Sequence, residues 1–162
     1  MKQTILFSCF LAGALFLSYS HCSAQWVQSN GPHGGKVWSF AVGGTGIFAA
    51  TEAGGVYRST DDGSNWTAVN AGLTTPDVRA LLINGSNLFA GTYSGGPYPS
   101  GTGHGVYLST DNGLSWSVAS DGLTQLNILS LVAKSTNLFA GTEGGGAFPP
   151  TTGRAGLQSI SA

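Results

Sequence analysis

The sequence predicts an all-β protein built from repeated units, and three observations support this prediction. Of its 162 residues, 26 are glycine and only 8% are charged, a composition that fits turn-rich β structure better than a helical bundle. Short apolar stretches alternate with polar residues and end at glycine, asparagine or serine, which is typical of strands joined by tight turns. The third observation is a segment that recurs three times along the chain.

The three copies of this segment align without a gap. They are residues 37–51, 78–92 and 128–142. Successive copies start 41 and 50 residues apart, and the difference is nine residues inserted after Thr92. A period of this length with several short strands per unit is the signature of propeller blades. We therefore predict a partial, open β-propeller of about two complete four-stranded antiparallel blades plus a partial third, preceded by a signal-peptide helix.

The turn residues set the expected boundaries. In the first unit, strands are predicted at about 36–42, 46–51, 55–60 and 65–70. The three blades are expected at about 36–70, 77–120 and 127–149, and residues 150–162 form an atypical tail. The third copy keeps the pattern through Ala147-Phe148 and then loses it, which suggests a truncated or frame-shifted end. Because closed propellers need roughly four to eight blades, we expect open faces and self-association of the isolated chain.

The first 24 residues have the layout of a secretory signal peptide. Lys2 precedes an apolar run over residues 4–19, and the small residues Cys22 and Ala24 stand before a cleavage point ahead of Gln25. A retained signal anchor is the alternative, because the apolar run approaches the length that spans a bilayer. Cleavage predicts a secreted protein, periplasmic or extracellular, with residues 25–162 as one repeat region and no membrane contact.

Charge and cysteine content exclude several functions. The formal net charge is −1, which argues against a nucleic-acid partner. Both cysteines, Cys9 and Cys22, lie in the segment predicted to be removed. The mature chain therefore has no disulfide framework, no thiolate nucleophile and no cysteine-based metal site.

Two turns between a third and a fourth strand share the pattern S-x-D-x-G-x-x-W, and we call residues 59–66 and 109–116 the two motif turns. Their matching residues are Ser59, Asp61, Gly63, Trp66, Ser109, Asp111, Gly113 and Trp116. The short polar side chains bond the turn backbone, glycine takes a positive φ, and tryptophan covers the turn. A calcium loop starting at Asp61 is excluded, because Gly72 stands where a bidentate glutamate is required.

The pattern, in register within the repeat, resembles the Asp-box (BNR) repeat of sialidases, sortilin-type propellers and photosystem II assembly-factor-like proteins. The resemblance covers essentially all of the chain after residue 24. It implies a β-propeller in which the eight matching residues are structural and lie on the face opposite the ligand site.

The same resemblance implies what an enzyme of the sialidase type would need: three arginines, a tyrosine activated by a glutamate, and an aspartic acid. The mature chain has only three arginines, which are Arg58, Arg79 and Arg154, and it has no Arg-Ile-Pro motif. Glu52 and Glu143, at equivalent repeat positions, are interpreted as solvated loop carboxylates. His33 and His104 stand among glycines without ligand spacing. We predict no catalytic, cofactor or metal site.

The insertion 93–101 supplies a candidate ligand rim. Strand order puts it on the face opposite the motif turns, where Tyr93, Tyr98, His33 and His104 could come together; the alternative is a tolerated surface insertion. The sequence thus predicts a secreted propeller fragment that binds a protein or a glycan without catalysis. The alternatives are a fragment of a sialidase-type glycoside hydrolase and a spacer between other domains.

Overall fold

The computed structural model describes residues 28–44, 46–95 and 104–144, together with the backbone of residues 158–161. The predicted signal peptide, Tyr98 and the predicted strand at Ala147-Phe148 lie outside the described residues.

Three antiparallel sheets follow one another along the chain, each with its strands in sequence order. The first contains β1 (Val37–Gly43), β2 (Gly46–Thr51), β3 (Gly55–Ser59) and β4 (Thr67–Ala68). The second contains β5 (Val78–Asn84), β6 (Asn87–Thr92), β7 (Val106–Ser109) and β8 (Ser117–Val118). The third contains β9 (Ile128–Lys134), β10 (Asn137–Thr142) and β11 (Gln158–Ser161). The prediction of an all-β, partial β-propeller with four-stranded antiparallel blades is confirmed.

The third sheet takes its third strand from a late part of the chain. Leu138 of β10 pairs with Ile160 of β11, just as Leu88 of β6 pairs with Ser109 of β7 in the second sheet. β11 therefore lies within residues 150–162, the segment that the sequence assigns to an atypical tail. The blade boundary at 149 stays a prediction, because residues 145–157 are outside the described residues.

Strand order gives every sheet two distinct ends. At the lower end lie the hairpin between the first two strands and, in the first two sheets, the motif turn after the third strand. At the upper end lie the connection from the second to the third strand and the connection to the next sheet. The nine-residue insertion is at the upper end, where Thr92 bonds Gly105 through both its amide (2.9 Å) and its hydroxyl (2.9 Å). The inserted loop thus leaves and returns at one point.

The apolar core lies between the sheets. Strand residues alternate between the two faces of a sheet, so a sheet with neighbours on both sides is apolar on both. Phe48 of the first sheet packs with Leu81 and Trp116 of the second, while Phe89 of the second packs with Ile128 of the third. Phe48 and Phe89 are 1% and 2% exposed, and burial of such a side chain stabilises the fold by about 1.5–3 kcal/mol.

Candidate functional site: the strand bulges at the upper end

The first motif turn is closed by its own side chains. The Ser59 hydroxyl donates to Asp61 Oδ1 (2.8 Å) and accepts from the Gly63 amide (2.9 Å). Asp61 also accepts from the backbone amide (2.8 Å) and the side-chain amide (2.7 Å) of Asn65. Asp62 and Gly63 both have positive φ, 56° and 86°, so two left-handed residues follow one another where the sequence indicated one. These bonds give Asp61 a structural task.

The second motif turn repeats this arrangement and adds a bond to the first sheet. Asp111 accepts from the hydroxyl of Ser109 (2.7 Å) and from the amide (2.9 Å) and hydroxyl (2.5 Å) of Ser115. The Trp116 indole donates to the carbonyl of Val69 (2.8 Å), and the Trp116 backbone amide donates to the carbonyl of Ala71 (2.8 Å). Trp116 therefore joins two sheets, whereas the Trp66 indole donates to Gly63 of its own turn (3.0 Å).

Hydrogen bonds to the carboxylate, first of all from the Ser115 hydroxyl, lower the pKa of Asp111 from 3.8 to about 2. A folded-state pKa below the unfolded one contributes stability that is present above about pH 4 and is lost as the pH falls through about 2. We expect the Asp111→Asn variant to lose less stability than the wild type over this interval, because its side chain does not titrate. Urea unfolding at a series of pH values measures the difference, and parallel curves for the two proteins would contradict it.

The first strand of each sheet has a β-bulge at the same point near the upper end. Val37 and Ser39 pair with Thr51 and Ala50, which leaves Trp38 as the extra residue. The same register shift makes Arg79 the extra residue of β5 and Leu129 that of β9. Bulges redirect side chains and are over-represented beside functional sites. The first strands of the three sheets therefore present one bulged residue each at the upper end, and we call Trp38, Arg79, Leu129 and the neighbouring Tyr93 the upper rim.

Arg79 lies between two aromatic rings of the rim. Its guanidinium carbon is 4.4 Å from the ring centroid of Trp38 and 3.7 Å from that of Tyr93. Two nitrogens of the same guanidinium donate to the two carboxylate oxygens of Asp77, both at 3.1 Å. This bidentate bond is the main reason that the pKa of Arg79 is raised. The cation is thereby fixed in position, while 41% of the Trp38 surface stays exposed beside it.

Tyr93 connects the rim to the third sheet. Its hydroxyl donates to Glu143 Oε1 (3.1 Å), and Glu143 Oε2 accepts from the side-chain amide of Asn127 (3.1 Å). Glu143 is thus a partly buried, hydrogen-bonded carboxylate and not the solvated one that the sequence suggested. The bond to Glu143 raises the pKa of Tyr93, so the phenol keeps its proton at neutral pH. A tyrosine bonded to a glutamate is also the pair that the resemblance to sialidases implies, so this contact alone does not separate a binding site from a catalytic one.

The predicted ligand rim included four residues, and the structure describes three of them. Tyr93 lies in the upper rim. His33 and His104 are exposed at the same end of the first and second sheets, where the His33 carbonyl accepts from the Tyr57 hydroxyl and the His104 carbonyl accepts from Ser120. Each histidine is positioned through its backbone, and Tyr98 lies outside the described residues. The common rim of these four residues stays a prediction.

Lys36, a second cation at this end, is paired as well. Lys36 Nζ lies 3.3 Å from Glu52 Oε1 and 5.5 Å from the Trp38 ring centroid. Within the described ranges, no group of three histidine, cysteine or acidic side chains could hold a metal ion. Also among these residues, no helix has the length and apolar character to cross a membrane. The chemical groups that the upper rim presents are an exposed aromatic ring and hydrogen-bonding side chains.

Sequence reasoning missed Trp38 and Arg79 as members of the site. They occupy the second position of their repeat copies. The alternation of apolar and polar residues does not show that this position is bulged. The signal that could have found them is the alignment itself, since it places an aromatic, a cationic and an aliphatic residue at one equivalent point of three strands.

Comparisons with known proteins show the fold. A crystal structure of an ancestral GH74 enzyme, a propeller-type glycoside hydrolase, matches with a TM-score of 0.54 and 22% identity over 67% of this chain. The chain corresponds to 14% of the length of that enzyme. The structure of the computationally designed Ika4 protein matches with a TM-score of 0.40 and 10% identity over 85% of this chain and 98% of Ika4. No protein-family model and no curated protein matches the chain.

Proposed function

We propose that the chain is part of a secreted Asp-box β-propeller and that its upper rim binds a glycan without catalysing a reaction. The observation that supports this best is the exposed indole of Trp38 beside the fixed guanidinium of Arg79. A sugar ring has an apolar C–H face that packs on an aromatic ring, and hydroxyl groups that bond to charged or polar side chains. The rim offers both kinds of contact within one surface.

Charge pairing favours a neutral saccharide over a polyanion. Among the described residues, the cations at this end are Lys36 and Arg79, and each is paired with a carboxylate, Glu52 and Asp77 respectively. A surface without excess positive charge gives a polyanion no electrostatic attraction. The paired groups nevertheless keep unused lone pairs and N–H groups for sugar hydroxyls.

Two further features support an Asp-box propeller and its secretion. Both motif turns form the side-chain bonds expected of a structural Asp box, at the end of the sheets opposite the upper rim. The signal-like first 24 residues support secretion.

Titration calorimetry with neutral cello-, xylo-, malto- and chito-oligosaccharides, and with sialyllactose as a charged comparison, tests the proposal. We expect a neutral oligosaccharide to bind, and the Trp38→Ala variant to bind it at least about tenfold more weakly, a loss of about 1.4 kcal/mol, because the stacking surface is removed.

The Leu114→Ala variant is the matched control. Leu114 is an apolar residue, 62% exposed, in the second motif turn at the lower end, so its truncation leaves the affinity unchanged. If the folded chain binds none of these saccharides, or if Trp38→Ala binds as well as the wild type, the glycan proposal is wrong. A protein ligand then takes its place.

A second candidate function is a piece of a glycoside hydrolase, for which the sequence indicates the sialidase type. The likeness to the GH74 enzyme and the presence of Glu52, Asp77 and Glu143 at one end of the sheets favour it. Against it, each carboxylate already has a cation or hydrogen-bond partner, and Arg79 is held by Asp77. Release of reducing sugar or of a fluorogenic aglycone, abolished in a folded Glu143→Gln variant, would establish this function.

A further inference from the structure

A cavity of about 260 Å³ opens at the lower end, between the first and second sheets, and we call it the lower cavity. On one side it is bordered by Gly43 and Gly44 of the first sheet, and on the other by Gly85, in the hairpin between β5 and β6. Its apolar lining is formed by three side chains that belong to the core or pack against it: Phe48, Ile83 and Leu88. The lower cavity therefore reaches the apolar core between the two sheets.

The corresponding place between the second and third sheets contains an asparagine side chain. Asn84 is the repeat equivalent of Gly43, and its side-chain amide donates to the carbonyl of Ser135 in the third sheet (3.0 Å). Ser135 is in turn the equivalent of Gly85, and both have a left-handed φ, 56° and 64° respectively. The interface between the first two sheets thus keeps the hairpin residue that accepts the bond, but has a glycine in the place of the donor.

A second position changes together with the first. Ile83 lines the lower cavity, whereas its equivalent in the third sheet is Ala133. A Cβ added at Gly43 would lie 2.7 Å from Cδ1 of Ile83, so a side chain at this position requires the isoleucine to move or to be smaller. One interface combines glycine with isoleucine, and the other combines asparagine with alanine. The lower cavity is therefore the space that an asparagine side chain occupies at the next interface.

We propose that the lower cavity binds a small molecule in which a primary carboxamide is attached to a single apolar ring. The carboxamide takes the position of the Asn84 side chain and donates to the Gly85 carbonyl, while the ring packs on the buried side chains of the lining. An apolar cavity of only roughly 150 Å³ binds benzene, so the lower cavity admits a ring with one substituent. It is smaller than the roughly 300–1,000 Å³ of pockets for drug-sized ligands, which favours a ligand of one ring. The lower cavity lies at the end opposite the upper rim, so the proposal is independent of glycan binding.

Two-dimensional amide NMR of the full chain, with benzamide as the probe, tests the site. We expect saturable shifts of the backbone amide signals of Gly43 and Gly85, which border the lower cavity. We also expect nuclear Overhauser effects between the benzamide ring and the methyl groups of Ile83 and Leu88. Benzoate should bind at least about tenfold more weakly, because its carboxylate has no N–H to donate and would place a charge against a carbonyl oxygen.

The double variant Gly43→Asn with Ile83→Ala recreates, at the first interface, the pair of residues found at the second. We expect it to remain folded and to bind benzamide at least about tenfold more weakly, because its new side chain fills the lower cavity. The Val118→Asn variant is the matched control. It introduces the same residue on the outer strand β8, at a position that is 63% exposed and does not line the cavity, so it keeps the wild-type affinity.

The proposal is overturned if benzamide produces no saturable shift, if the shifts are confined to the upper rim, or if benzamide and benzoate bind equally well. A folded double variant that binds benzamide as tightly as the wild type overturns it too. If the double variant unfolds, the nuclear Overhauser effects in the wild type decide the question. Their absence at Ile83 and Leu88 contradicts the site.

Discussion

The Phe89→Ala variant is expected to lose about 3–5 kcal/mol of unfolding free energy. Phe89 is 2% exposed and packs in the cluster between the second and third sheets. Truncation removes the transfer free energy of the ring and leaves a cavity that the surrounding paired strands close only in part. Because a small domain is stable by only about 5–15 kcal/mol, the midpoint of urea unfolding should fall sharply.

Leu114→Ala provides the comparison, since it also removes a large apolar side chain but at a position 62% exposed. Its unfolding free energy should stay within about 0.5 kcal/mol of the wild type. A Phe89→Ala protein as stable as Leu114→Ala would show that the second and third sheets do not pack as described.

Gly91→Ala is expected to destabilise the protein by about 1–3 kcal/mol through overpacking. A Cβ at Gly91 would lie 2.5 Å from Cγ2 and 3.0 Å from Cβ of Ile128 on the neighbouring sheet. At the interface between the first and second sheets, the repeat has Ala50 and Val78 in the positions of Gly91 and Ile128, and both are fully buried. The two interfaces thus contain the same total volume divided differently, glycine with isoleucine and alanine with valine.

Because Gly91 and Ile128 share this volume between them, the loss from a change at one residue should be compensated by a change at the other. Adding Ile128→Val to Gly91→Ala recreates the Ala50–Val78 combination and should recover most of the lost stability in a double-mutant cycle. Gly44→Ala is the control, because a Cβ there meets nothing within 4 Å. Additive losses from Gly91→Ala and Ile128→Val would contradict the compensation.

Strand positions could be predicted because alternation and turn residues are local signals. The predicted strands at 46–51 and 55–60 correspond to β2 (Gly46–Thr51) and β3 (Gly55–Ser59). The fourth strand, predicted at 65–70, is shorter in the structure, Thr67–Ala68. The strand begins late because the Asn65 amide bonds the side chain of Asp61 and not the neighbouring strand. The motif turn therefore extends at the expense of the ladder.

The upper rim could be predicted only in part. The sequence indicates Tyr93 because the insertion begins there, but its partner Glu143 lies 50 positions later, directly after β10 of the third sheet. Arg79 and Trp38 meet because the bulged strands β1 and β5 pack against each other in neighbouring sheets, and a bulge depends on a register that the sequence does not state. Contacts between repeat units therefore need the structure.

The bonds from Trp116 to Val69 and Ala71 give the repeat a direction. Backbone of the preceding unit completes the second motif turn, and the first motif turn likewise lies against earlier chain, where Asn65 forms a parallel bridge with Asn30. In a chain that emerges N-terminus first from the ribosome, Val69 and Ala71 are synthesised before Trp116. The carbonyls that accept the bonds from Trp116 are therefore already in place when the tryptophan appears. Each new sheet can thus be added to a finished predecessor, so that the molecule grows by templated nearest-neighbour steps from one end.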